Sequence, residues 1–89
     1  MISRKIQYSG NFTKENTNLL YEIIRNIDLK GELHHLGPNS IELRLEGDPS
    51  MIKLLEHQIQ NRLQNNIEEK VVTPIPFKHY KGLSYFINS

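Results

Sequence analysis

Ile2, Ile6 and Tyr8 alternate with Ser3, Lys5, Gln7 and Ser9. A period of two predicts a half-buried strand over Ile2–Ser9. Arg4 interrupts its apolar face, and Gly10 ends the run. Leu19, Leu20, Ile23, Ile24 and Ile27 then recur at three- and four-residue steps. That stripe predicts an amphipathic helix ending near Asn26–Asp28. Thr13, Asn16 or Thr17 can cap its start, because a short side-chain oxygen accepts from free N–H groups. A second strand is expected over Lys30–Leu36. Gly37-Pro38-Asn39 follows as a turn, since Gly and Asn tolerate positive φ and Pro fixes its own.

Ile41, Leu43 and Leu45 alternate with Glu42, Arg44 and Glu46, the cleanest amphipathic strand in the chain. With the preceding strand it reads as a hairpin. Asp48 suits a helix N-cap and Pro49 the first helical position. Ile52, Leu55, Ile59 and Leu63 form that helix's stripe, with Met51 and Leu54 beside it, and the pattern dissolves around Gln64–Asn66. In the tail, Lys70–Thr73 reads as a strand whose pairing Pro74 and Pro76 limit to a sheet edge or a bulge. His79–Gly82 reads as a turn and Leu83–Ile87 as a short last strand. The order is strand–helix–strand–strand–helix–strand with an extra strand. It predicts an α+β, ferredoxin-like α/β sandwich: an antiparallel sheet with two helices on one face.

The length of 89 residues bounds this to one domain over 1–89. A formal charge of +1, with Lys and Arg interleaved among Glu and Asp, argues against a nucleic-acid partner. Its aromatics make no RNA-binding signature either. Without cysteine there is no disulfide, thiolate nucleophile or Cys-based zinc site. The start, MISRKIQYSG, has no long apolar run, and no segment approaches a membrane span. The expectation is a soluble, cytoplasmic protein with no membrane partner and no cofactor.

His34 and His35 attract attention, but neighbours on a strand point to opposite faces and cannot share one metal. His57 and His79 add no metal-ligand spacing, so no metal site is expected. His35 lies on the face of Leu33 and reads either as a hydrogen-bonded strand-end histidine or as a positioning residue or general base. Val71–Phe77 reads as an edge strand guarded by its prolines, with pairing to a protein partner or a second copy as the other use.

The block Leu29-Lys-Gly-Glu-Leu-His-His-Leu-Gly-Pro-Asn-Ser-Ile-Glu-Leu-Arg-Leu-Glu-Gly-Asp48 resembles the central block of the acylphosphatase family. The family's pattern there is roughly L-x-G-W-V-x-N-x-x-D-G-S-V-E-V-x-x-x-G-D. Gly31, Ser40, Ile41, Glu42, Leu43, Gly47 and Asp48 match or are conservative, without a gap. Tyr8-Ser9-Gly10 is similar to the end of the family's first strand, and Leu83–Asn88 to its last. The resemblance implies hydrolysis of a carboxylic–phosphoric anhydride without a metal. A loop G-x-V-Q-G-V-x-F-R would wrap the phosphate in backbone N–H groups and supply an Arg, and an Asn would orient water.

Here the chain departs from its relatives. The loop is Gly10–Asn18, with Lys14 and Asn16 in place of inner glycines and Glu15 putting negative charge where phosphate would sit. The Arg position falls on Asn18, or on Thr17 counted back from Gly31, and the Asn position falls on His35. The remaining candidates for holding phosphate or another small anion are Gly10, Asn11, Thr13, Lys14, Asn16 and Thr17. The reading is an acylphosphatase-like domain with a degenerate loop, an inefficient hydrolase acting as a binding or regulatory module. The alternatives are an active acylphosphatase using Lys14 and His35, and an interaction module working through a sheet edge. Whether the chain is an enzyme stays open at this level.

Overall fold

The computed structural model describes residues 1–87. Its elements are β1 (Ile2–Gly10), α1 (Lys14–Arg25), β2 (Lys30–Gly37), β3 (Ser40–Gly47), α2 (Pro49–Leu63), β4 (Ile67–Pro74) and β5 (Leu83–Ile87). Asn88, placed with the last strand from sequence, lies outside the described residues. The strands form one sheet in the order β4-β1-β3-β2-β5.

The apolar residues read from sequence meet in one core. Ile41, Leu43 and Leu45 of the central strand are fully buried. Ile6 pairs with Leu43 and Tyr8 with Ile41 on one side, and Leu33 with Leu43 on the other. Leu20, Ile23 and Ile24 of α1 and Ile52, Leu55, Ile59 and Leu63 of α2 close over this face in the same cluster. Leu54, expected beside the stripe, is 41% exposed. Thr13 caps α1, its Oγ1 accepting from Asn16 N–H at 3.1 Å. Asp48 caps α2, accepting from Ser50 N–H at 2.9 Å, and Pro49 opens the helix.

Three sequence expectations shift. The Pro38-Asn39 turn forms with neither Gly37 nor Asn39 at positive φ. Pro38 supplies the fixed φ, and the register shifts between His35 and Gly37, an irregularity of the kind that bends a strand locally. Glycine is needed instead at Gly10 and Gly31, where a Cβ would overlap the carbonyl oxygens of Asn66 and Arg44. The β4 strand begins at Ile67, three residues before the apolar pattern starts. The first four strands are antiparallel, as expected, but β5 pairs with β2 in parallel, Gly31 facing Leu83 and His35 facing Ile87.

Geometry explains the last point. From β4 to β5 the chain crosses four interstrand spacings, about 19 Å. Eight extended residues reach about 26 Å, so residues 75–82 are long enough to make this crossing as a strap, with room for a bend at His79. The strap crosses one end of the polar sheet face and delivers β5 in the direction of β2.

Candidate functional site

At the other end of the sheet, the end of β1, the β2–β3 turn and the start of α1 come together. They enclose an open cleft of about 390 Å³ lined by Phe12, Thr13, Lys14, His35, Gly37, Pro38 and Ile87. Three of the sequence candidates, Thr13, Lys14 and His35, are among its walls. The positions that sequence reading missed are Phe12, Ile87 and the turn residues Gly37 and Pro38. Gly37 and Pro38 carried a turn signal, and Phe12 and Ile87 carried none.

The loop is held by backbone hydrogen bonds. Gly10 N–H donates to Asn39 C=O at 3.0 Å, Asn11 N–H to Asn66 C=O at 2.8 Å, and Phe12 N–H to Pro38 C=O at 2.8 Å. Asn66 Nδ2 also donates to Asn11 C=O at 3.2 Å. These N–H groups are therefore consumed inside the fold. Phe12 is 1% exposed and fills core space with its ring. Free donors begin two residues later. As first-turn residues of α1, Lys14 and Glu15 have N–H groups with no intrahelical acceptor, and they point along the positive end of the helix dipole.

Of the remaining candidates, Asn16 gives its N–H to the Thr13 cap. Thr17 is fully buried, its hydroxyl donating to Thr13 C=O at 2.9 Å. Asn18 is exposed and turned toward β5, where its Oδ1 accepts from the Tyr85 hydroxyl at 3.1 Å. Glu15 is exposed in the first turn and is not a cleft wall. Lys14 is the cation that lines the cleft.

The two histidines separate as strand geometry demands. His34 stacks on Phe86 at 4.8 Å on the polar face, with Glu32 3.6 Å away. His35 is 9% exposed, and its Nε2 lies 3.2 Å from Phe12 C=O. A carbonyl only accepts, so Nε2 carries the proton in this contact. The lone pair is then left on Nδ1, which is buried and has no partner among the described residues. Tyr8, on the same sheet face, is also buried with an unpartnered hydroxyl. Burial, with the Glu56 charge nearby, pushes its ionisation well above that of an ordinary tyrosine.

Among the described residues no group of His, Asp and Glu could hold a metal ion, and no helix is long and apolar enough to cross a membrane.

No known family pattern and no curated protein matches this sequence. Solved structures do match. Acylphosphatase from Bacillus subtilis is similar at TM-score 0.82 and 14% identity, over 96% of this chain and 98% of that one. An acylphosphatase from Coxiella burnetii is similar at TM-score 0.81 and 15% identity, over 94% of this chain and 90% of that one. HypF of T. kodakarensis is similar at TM-score 0.80 and 19% identity, over all of this chain and 12% of HypF. At such identities the likeness speaks for the fold, which is an acylphosphatase-like, ferredoxin-type α+β sandwich.

Proposed function

We propose that this acylphosphatase-like domain binds a small anion at the start of α1 and does not turn over acyl phosphates efficiently, so that it serves as a binding or regulatory module. The observation that carries this reading is the loop. Its Gly10, Asn11 and Phe12 N–H groups are spent on Asn39, Asn66 and Pro38, which leaves the first turn of α1 and Lys14 as donors. Lys14 is a point charge and lacks the planar fork that grips a transferring phosphoryl group from two sides. At the family's Arg position, Asn18 is engaged by Tyr85, or Thr17, by the other count, by Thr13; at its Asn position the His35 ring is engaged by Phe12. Losing one such transition-state donor commonly costs about 10²–10³ in rate, and here several are absent together.

A second reading, an active hydrolase, draws support from Lys14 and His35 lining one cleft. Phosphate release from benzoyl phosphate separates the two. The binding-module reading expects release at the spontaneous rate, with inorganic phosphate or benzoate shifting the amide resonances of Lys14 and Glu15. Turnover well above that rate, abolished in Lys14→Ala or His35→Ala, would overturn it.

A further inference from the structure

The strap over residues 75–82 has no helix or strand of its own; Gly82 C=O accepts from Gly31 N–H at 2.9 Å at its far end, and its middle is fastened by a carboxylate. Glu46 of β3 is 5% exposed. Its Oε2 accepts from the N–H groups of Lys78 and His79, the latter at 3.1 Å, and its Oε1 from Tyr80 N–H at 2.9 Å. The three donors converge because His79 adopts φ +58, the one non-glycine residue at positive φ among the described residues. Successive N–H groups bent in this way form an anion nest. The anion in it is the chain's own side chain. A second carboxylate, Glu32, accepts from the Tyr80 hydroxyl at 3.0 Å. Toward β4 the ties are long: Ile75 N–H to Ser3 C=O at 3.3 Å, and the Ser3 hydroxyl to Pro76 C=O at 3.4 Å.

The strap leads directly into β5. Ser84, Phe86 and Ile87 are exposed, and Leu83 and Tyr85 are half-buried. Beyond its pairing with β2, β5 is held by Leu83 and Tyr85 against the core, by Tyr85 stacked on Tyr21 and donating to Asn18, and by Phe86 stacked on His34. A segment with so little buried surface sits at the low end of local stability. Its last described residue, Ile87, is also a wall of the cleft at the far end of the sheet.

We propose that the strap and β5 open and close as one unit, latched by Glu46 in the nest of residues 78–80, and that releasing the latch opens the cleft at Ile87 while the rest of the sheet and both helices stay folded. The proposal does not depend on what the cleft binds. The latch requires Glu46 to be ionised, and its surroundings favour that. Lys30 faces it from β2, Arg44 lies two residues back on the same face of β3, and Lys78 and His79 belong to the strap. Met1, Lys30, His79 and Tyr80 share a cavity of about 200 Å³ with it. Glu32 of β2 and Glu42 of β3 are the negative charges on that face, and Asp28 and Asp48 share a second cavity of about 380 Å³ with Glu46.

Amide hydrogen exchange of the whole chain, read residue by residue by NMR, tests this. Glu46→Gln keeps the shape but removes the charge. Amides of Lys78–Tyr80 and of Leu83–Ile87 should then exchange faster together, by a common factor of about tenfold, with β1 and β3 unchanged. Acceleration confined to residues 78–80 would overturn the proposal, as would an equal acceleration throughout the sheet. Should Glu46→Gln fail to fold, Tyr80→Phe removes only the bond to Glu32. A smaller joint rise in the strap and β5 is then expected, and no joint rise would overturn the idea.

Discussion

Single residues carry effects here that their neighbours in sequence do not announce. Gly31 is one. A methyl group there would meet the Arg44 carbonyl inside the β2–β3 ladder. Gly31→Ala should therefore lower unfolding free energy by about 2 kcal/mol or more, measured by urea denaturation. Thr13→Ala should cost about 1 kcal/mol on the same scale, because the Asn16 N–H loses its acceptor. The helix stripe and the separation of His34 from His35 were legible in sequence, since each follows from a short, fixed periodicity, whereas Thr13 was one of three candidate caps that only the helix start could decide. The fate of His35 was only half legible. Its face could be read from strand alternation, but its bond to Phe12 joins residues distant in sequence through a loop with no periodicity. The exhausted N–H groups of Gly10–Phe12 were hidden for the same reason: their acceptors, Asn39, Asn66 and Pro38, come from two other loops.

Among the elements, β3 is the one against which the others assemble. Leu43 sits at its middle, fully buried between Ile6 and Leu33. Leu43→Ala should cost about 3–4 kcal/mol, a large share of what a domain this size possesses, and calorimetry would register a fall in Tm of many degrees. Sequence alternation identified β1 and β3, the turn at Gly37–Asn39 placed β2 beside β3, and the three- and four-residue spacing gave both helices, because each puts its apolar residues toward one core. It shortened β4 and could not orient β5. An edge strand buries too little to show a pattern, and direction comes from the strap's path, which is set by contacts to Ser3, Glu32 and Glu46. The cleft inherits this limit. The turn that forms one wall was readable, but Ile87 enters only because β5 runs parallel to β2.

For the whole molecule, charge and burial set the pH range of stability. Burial would raise the Glu46 carboxyl, but the N–H groups of Lys78, Tyr80 and His79 together hold it below the usual carboxylate range. Asp48 is lowered too, by the Ser50 hydroxyl and N–H. A group lowered in the folded state stabilises above its unfolded pKa, about 4, and loses that contribution as pH falls through the folded value. Urea midpoints should thus stay level from pH 7 to about 5 and fall below about 4, and Glu46→Gln should lower the plateau while flattening the fall. At the alkaline end, burial and the bond to Glu32 push Tyr80 up to about 12. Absorbance titration near 295 nm should find tyrosine still protonated beyond pH 11, and less of it in Tyr80→Phe. The strap has one more consequence, for the order in which the molecule assembles. The β2–β5 ladder joins residues about fifty positions apart, so it closes a long loop that local turns cannot prepare, whereas the β2–β3 hairpin closes over a few. The hairpin therefore belongs to the early events of folding, and both edge ladders, β2–β5 and the still longer-range β1–β4, to the later ones.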